Sequence, residues 1–158
     1  MDYKTLCNDL RALIDGVPHL WANLANASAL LYSALDRINW CGFYIMKDGR
    51  LVLGPFQGKP ACIEIAVGRG VCGSAVRDRK TLRVDDVHAF DGHIACDPNS
   101  KSEIVVPLID ADGRVFGVLD IDSPIKERFD ERDQAGLENF AKSLTDELSK
   151  QGIIPTDK

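Results

Sequence analysis

Hydrophobic positions along the chain keep two different rhythms. From Tyr3 to Asp15 the apolar residues fall at Leu6, Leu10, Leu13 and Ile14, the spacing of one helix face. Gly16-Val17-Pro18 ends that helix. A second is predicted from about His19 to Asp36, where Leu20, Leu24, Ala27, Leu31 and Leu35 suggest burial on more than one side. The rhythm then shortens to alternation. Asn39–Lys47 and Arg50–Phe56 read as strands flanking Asp48-Gly49, a pair suited to the positive φ of a tight hairpin. A short third strand is predicted at Cys62–Val67.

The glycine-rich run Gly68-Arg69-Gly70-Val71-Cys72-Gly73-Ser74 opens a short helix ending near Arg79, followed by a brief strand at Thr81–Val84. Asp85–Lys101 shows no periodicity and is expected to be a long loop, of the kind that often forms a lid or binding loop. Ser102–Ile109 and Val115–Ser123 form a second predicted hairpin around Asp110–Arg114. Asp130 caps a long closing helix with Leu137, Phe140, Ala141, Leu144 and Leu148 on one face. Residues 151–158 are expected to fray. This order predicts one α+β domain over residues 1–150: an antiparallel sheet, helices on one face, and a loop-lidded pocket on the other.

Composition agrees with a single soluble domain. At 158 residues, with 45% hydrophobic and 27% charged, the chain can bury one core without staples. No apolar run approaches the roughly 20 residues that span a bilayer. The amphipathic start is unlike a signal peptide, so no membrane partner and a cytoplasmic location are expected. Nineteen basic against 24 acidic residues give a net charge of −5, which argues against a nucleic-acid partner. Five cysteines, an odd number, do not suggest a secreted disulfide scaffold. Cys7 and Cys41 sit in apolar elements and read as core fillers. Cys62, Cys72 and Cys96 lie among glycines, histidines and acids instead.

Three groups could carry chemistry. Asp120 and Asp122 are two apart in a strand, so both point to one face while Leu119 and Ile121 point to the other. Glu103, on the neighbouring strand, could join them. They are either a solvated strand end or a pocket that wants a cation such as a ligand ammonium. Gly68, Gly70 and Gly73 are either an ordinary turn or a set of converging amides for an anion such as a ligand carboxylate. The loop His88–Asp97 has three readings: a solvated loop, a zinc site using His88, His93, Cys96 and Cys72 or Cys62, or thiol redox chemistry. By local electrostatics Cys72, near a helix N-terminus, looks easier to ionise than Cys96 beside Asp97.

Asn39-Trp40-Cys41-Gly42-Phe43-Tyr44, Gly68-Arg69-Gly70-Val71-Cys72-Gly73, Asp85-Asp86-Val87-His88-Ala89-Phe90, Gly92-His93-Ile94-Ala95-Cys96-Asp97 and Ser102-Glu103-Ile104-Val105-Val106-Pro107-Leu108 together resemble the free methionine-(R)-sulfoxide reductases. These are GAF-domain enzymes, and the resemblance runs from roughly Tyr32 to Asp133. It implies a six-stranded antiparallel sheet with helices packed on it, and a homodimer of such domains. It further implies that Cys96 attacks the sulfoxide sulfur, Cys62 resolves the sulfenic acid and Cys72 is an auxiliary thiol. Glu103, Asp120 and Asp122 would hold the substrate ammonium or protonate the sulfoxide oxygen. Trp40 and Tyr44 would line the thioether end, with Gly70 and Val71 also contacting substrate. No metal or bound cofactor is implied; the reductant would be thioredoxin, recharged by NADPH through thioredoxin reductase. Cys41 stands where a small apolar residue is expected. The rival reading is a GAF module that binds a small molecule without catalysis.

Overall fold

The computed structural model describes residues 1–92 and 97–158. Its elements in chain order are α1 (Tyr3–Ile14), α2 (Leu20–Ala34), β1 (Trp40–Lys47), β2 (Arg50–Gly58), β3 (Glu64–Ala66), α3 (Gly70–Asp78), β4 (Leu82–Val84), β5 (Ser102–Ile109), β6 (Val115–Ser123) and α4 (Glu131–Lys150). The six strands form one sheet in the order β3-β2-β1-β6-β5-β4, with every neighbouring pair antiparallel. Both predicted hairpins are present. Asp48 and Gly49 at the first turn have φ of 53° and 79°, the left-handed pair that matches strand twist in a two-residue loop.

The sheet separates two apolar clusters. On one face α1, α2 and α4 pack over Phe43, Ile104, Leu108, Phe116, Leu119 and Ile121. On the other, α3 covers Tyr44, Leu51, Val105 and Val118. Three helices therefore share a face, as expected, and the short fourth helix joins the loops opposite. β1 lies between β2 and β6 and is covered on both sides, so all its residues but Lys47 are buried.

Two expectations change. The second helix buries only Asn23, Leu24, Ala27, Ser28 and Leu31, while Trp21 is 58% exposed. Ala22 and Ala25 lie on the solvent side, where alanine favours the helix without being packed. The C-terminal tail is also tied down rather than frayed. Ile153 and Ile154 pack against the helical core, Arg114 Nη2 donates to the Pro155 carbonyl at 2.6 Å, and the Gly49 amide donates to Asp157 Oδ1 at 3.2 Å. These are tertiary contacts, which local pattern does not encode.

α4 begins in a reciprocal capping box: Asp130 accepts from the Asp133 amide and Asp133 accepts from the Asp130 amide. Asp133 Oδ1 also accepts from the Tyr3 hydroxyl at 2.6 Å, fastening α1 to α4. Tyr3 then lies over Gly136, where an added Cβ would stand 2.1 Å from Tyr3 Cγ. Alanine normally gains about 1 kcal/mol over glycine inside a helix, but overpacking costs about 1–3 kcal/mol. With Tyr3 held in place, overpacking wins. Gly136→Ala should lower the urea midpoint of unfolding at an unchanged m-value, against the usual propensity trend.

Candidate active site

The β1, β5 and β6 side chains on the α3 face build one cleft. Register places Trp40 opposite Asp122, Gly42 opposite Asp120 and Tyr44 opposite Val118. On the other side of β6, Glu103 stands opposite Asp122 and Val105 opposite Asp120. Alternation thus delivers Trp40, Tyr44, Glu103, Asp120 and Asp122 to one cavity of about 50 Å³. Gly70, Val71 and Cys72, in the first turn of α3, close it from above, with Ala61, Asp97 and Ser100 at its rim. That volume holds a few water molecules.

The acids are not a solvated strand end. Glu103 and Asp120 are each 6% exposed, and Asp122 is partly buried. Burial, reinforced by the Asp120 and Asp122 charges, pushes Glu103 well above the usual carboxylate range. Asp122 is raised in the same way, by burial and then by Asp120. Asp120 is raised by burial too, but hydrogen bonds from Glu103 and Cys72 act in the opposite direction. Glu103 and Asp122 are thus pushed furthest toward the protonated form, while at Asp120 the two hydrogen bonds offset part of the effect of burial. Asp120 Oδ1 is buried and has no hydrogen-bond partner among the described residues, an acceptor waiting for a donor.

Cys72 overturns the electrostatic reading of the sequence. Its thiol is buried, and burial followed by the charges of Asp120 and Glu103 pushes its pKa well above the usual thiol value. The nearby carboxyls outweigh the helix N-terminus, whose effect is modest and local. Cys7 and Cys41 are buried in the helical core, as expected of fillers. Cys62 lies at the rim segment before β3, half-buried and disulfide-bonded. Cys96 and His93 lie outside the described residues. His88 is exposed on the short turn Val87–Ala89. Among the described residues the group whose donor atoms could surround a metal is Cys72, Glu103 and Asp120, with those atoms within 4.8 Å of one another. It differs from the histidine-bearing zinc set considered from the sequence.

Several cleft residues carried no sequence signal of their own. Asn39 Nδ2 donates to Asp97 Oδ2 at 3.3 Å and to Ser100 Oγ at 3.2 Å, clamping the end of the long loop to the start of β1. Phe56 stacks on Trp40 with ring centroids 5.1 Å apart. Gly58, at φ 131°, admits the Trp40 indole, since a Cβ there would meet Cδ1 at 2.7 Å.

A curled antiparallel sheet with a small-molecule cleft beneath a short helix is the architecture of a GAF domain, and the GAF domain family matches residues 22–148. The free methionine-R-sulfoxide reductase of Escherichia coli is 54% identical over 142 residues, covering 90% of this chain and 86% of that protein. The fRMsr of Staphylococcus aureus in complex with substrate superposes with a TM-score of 0.88 at 52% identity, covering 93% of this chain and 95% of that one. The free methionine-R-sulfoxide reductase of Neisseria meningitidis, in complex with its substrate, gives a TM-score of 0.90 at 41% identity, covering 95% and 90%. The chain therefore belongs to the GAF domain family and, within it, to the free methionine-R-sulfoxide reductase family.

The raised Glu103 pKa carries a stability consequence. The unfolded carboxyl ionises near 4.5, while the folded one keeps its proton to higher pH. Above about 4.5 the native state therefore binds more protons than the unfolded chain, and stability falls as pH rises through the native pKa. Glu103→Gln removes that loss. Its melting temperature should exceed the unsubstituted protein's at pH 8, and the gap should close below pH 4.

Proposed function

We propose that this protein reduces free methionine-(R)-sulfoxide to methionine. The observation that carries the reading is one small cavity lined by two kinds of group: a buried acid cluster, including the orphaned Asp120 Oδ1, and the N-terminal turn of α3. A free amino acid brings an ammonium for the first and a carboxylate for the second. A methionine inside a polypeptide has neither charge, and would leave the cleft's polar groups unpaired. Family membership supplies the reaction.

A sulfoxide sulfur is a poor electrophile until its oxygen is protonated or strongly hydrogen-bonded. Glu103, its pKa raised by burial and by the neighbouring acids, is suited to supply it, with Asp120 and Asp122 binding the ammonium. In this reading the Cys96 thiolate attacks sulfur, the oxygen passes to Cys96 as a sulfenic acid, and methionine leaves with the sulfur's lone pair restored. The Cys62 thiol then attacks the sulfenic sulfur, closing a disulfide and releasing water. Cys72, its pKa raised, serves as the auxiliary thiol. The balance is one sulfoxide and two thiols to one thioether, one disulfide and one water. An external dithiol resets the enzyme; thioredoxin, fed by NADPH through thioredoxin reductase, has the chemistry required. A homodimer working in the cytoplasm completes the proposal. Among the described residues no helix is long and apolar enough to cross a membrane.

Reduced enzyme offered the R and S epimers of free methionine sulfoxide, and the N-acetylated R epimer, should convert the free R epimer alone. Binding without methionine formation would instead make this a sensor. Cys96→Ser should abolish methionine formation with any reductant, and retained turnover would move the nucleophile to Cys72. Cys62→Ser should release about one methionine per enzyme with thioredoxin and then stall, as sulfenic acid accumulates. Steady turnover there would make Cys72 the resolving thiol.

A further inference from the structure

Trp40 and Tyr44 present aromatic rings to the cleft, yet neither offers it a hydrogen-bonding atom. Trp40 Nε1 donates to the Lys59 carbonyl at 3.1 Å, and the Tyr44 hydroxyl donates to the Cys62 carbonyl at 2.9 Å. Both acceptors belong to the short segment between β2 and β3, so one strand of the rigid sheet holds that segment at its two ends. The holders are themselves fixed. Both residues are buried, their rings stack with centroids 6.0 Å apart, and Phe56 also stacks on the indole. Burial, aided by the Asp120 charge, raises the Tyr44 pKa, so the phenol stays a donor throughout the working pH range.

We propose that Tyr44 is a positioning residue for the resolving thiol: its hydroxyl fixes the Cys62 backbone so that Cys62 is presented to the sulfenic acid at high effective concentration. The inference rests on the reading of Cys62 as the resolving cysteine. The step it governs is attack of the Cys62 thiol on the sulfenic sulfur, forming the S–S bond while the sulfenic oxygen leaves as water. Intramolecular steps of this kind are sensitive to placement, and an error of about 1 Å can cost about a hundredfold. Tyr44→Phe keeps the ring and its stacking and removes only the bond to Cys62.

The test is a single turnover of pre-reduced enzyme with the free R epimer, acid-quenched at intervals. Methionine release, dimedone-trapped sulfenic acid and disulfide are each followed by mass spectrometry. Tyr44→Phe should slow disulfide closure at least tenfold more than it slows methionine release, with sulfenic acid building up between the two. In a Cys62→Ser background the same substitution should leave the lifetime of the sulfenic acid unchanged, because Tyr44 acts through Cys62. Equal slowing of both steps, slower methionine release alone, or closure at the unsubstituted rate would each overturn the proposal. Should Tyr44→Phe not fold, Trp40→Phe, which removes the bond to Lys59, must show the same split or the proposal fails. The parent reading fails separately: unsubstituted enzyme would release no methionine, or Cys62→Ser would accumulate no sulfenic acid.

Discussion

The pairing register of β5 with β6 is the constraint on which the cleft depends. Side chains alternate along a strand, so a slip of one residue would turn Glu103, Asp120 and Asp122 toward the helices and Ile104, Leu119 and Ile121 toward the cavity. The apolar set is fully buried on the helical side, where its removal from water opposes any such slip. That same burial forces three carboxyl groups together on the opposite face, where they repel one another and are poorly hydrated. One side of the ladder holds the other in an unfavourable arrangement. The consequence is a glutamic acid whose pKa is pushed well above the usual carboxylate range, beside an aspartate that lacks a partner for one oxygen.

Much of this was legible in the chain because its signals are local. Asp48-Gly49 and Asp110–Arg114 mark hairpins, Asp130 marks a helix start, and the spacing of Asp120 and Asp122 sets a common face. What stayed hidden depends on which distant residues meet. A cysteine in the first turn of a helix looks activated, yet Cys72 faces Asp120, and no pattern near position 72 announces a carboxyl from a strand 48 residues later. The docking of residues 153–157 and the solvent exposure of one side of α2 are likewise matters of tertiary fit. The roles proposed for the cysteines come from the resemblance to a reductase family; composition and periodicity did not suggest them.

The cleft divides its labour between firm and separate parts. The acids, Trp40 and Tyr44 stand on three adjacent central strands, whose mutual hydrogen bonding fixes their distances. The loop that ends at Ser100 and the segment around Cys62 are attached to that frame by side chains instead, through Asn39 and through the two aromatic donors. Side-chain attachments of this kind are weaker than a strand ladder.

The placement of the two indoles gives the protein a built-in optical reporter. Trp21 stands in water on α2, while Trp40 is stacked with two rings at the cleft wall and bonded to the Lys59 carbonyl. With Trp21 replaced by phenylalanine, the remaining tryptophan emission would come from the cleft alone. Ligand entry and thiol oxidation could then be followed by fluorescence in real time without an attached dye.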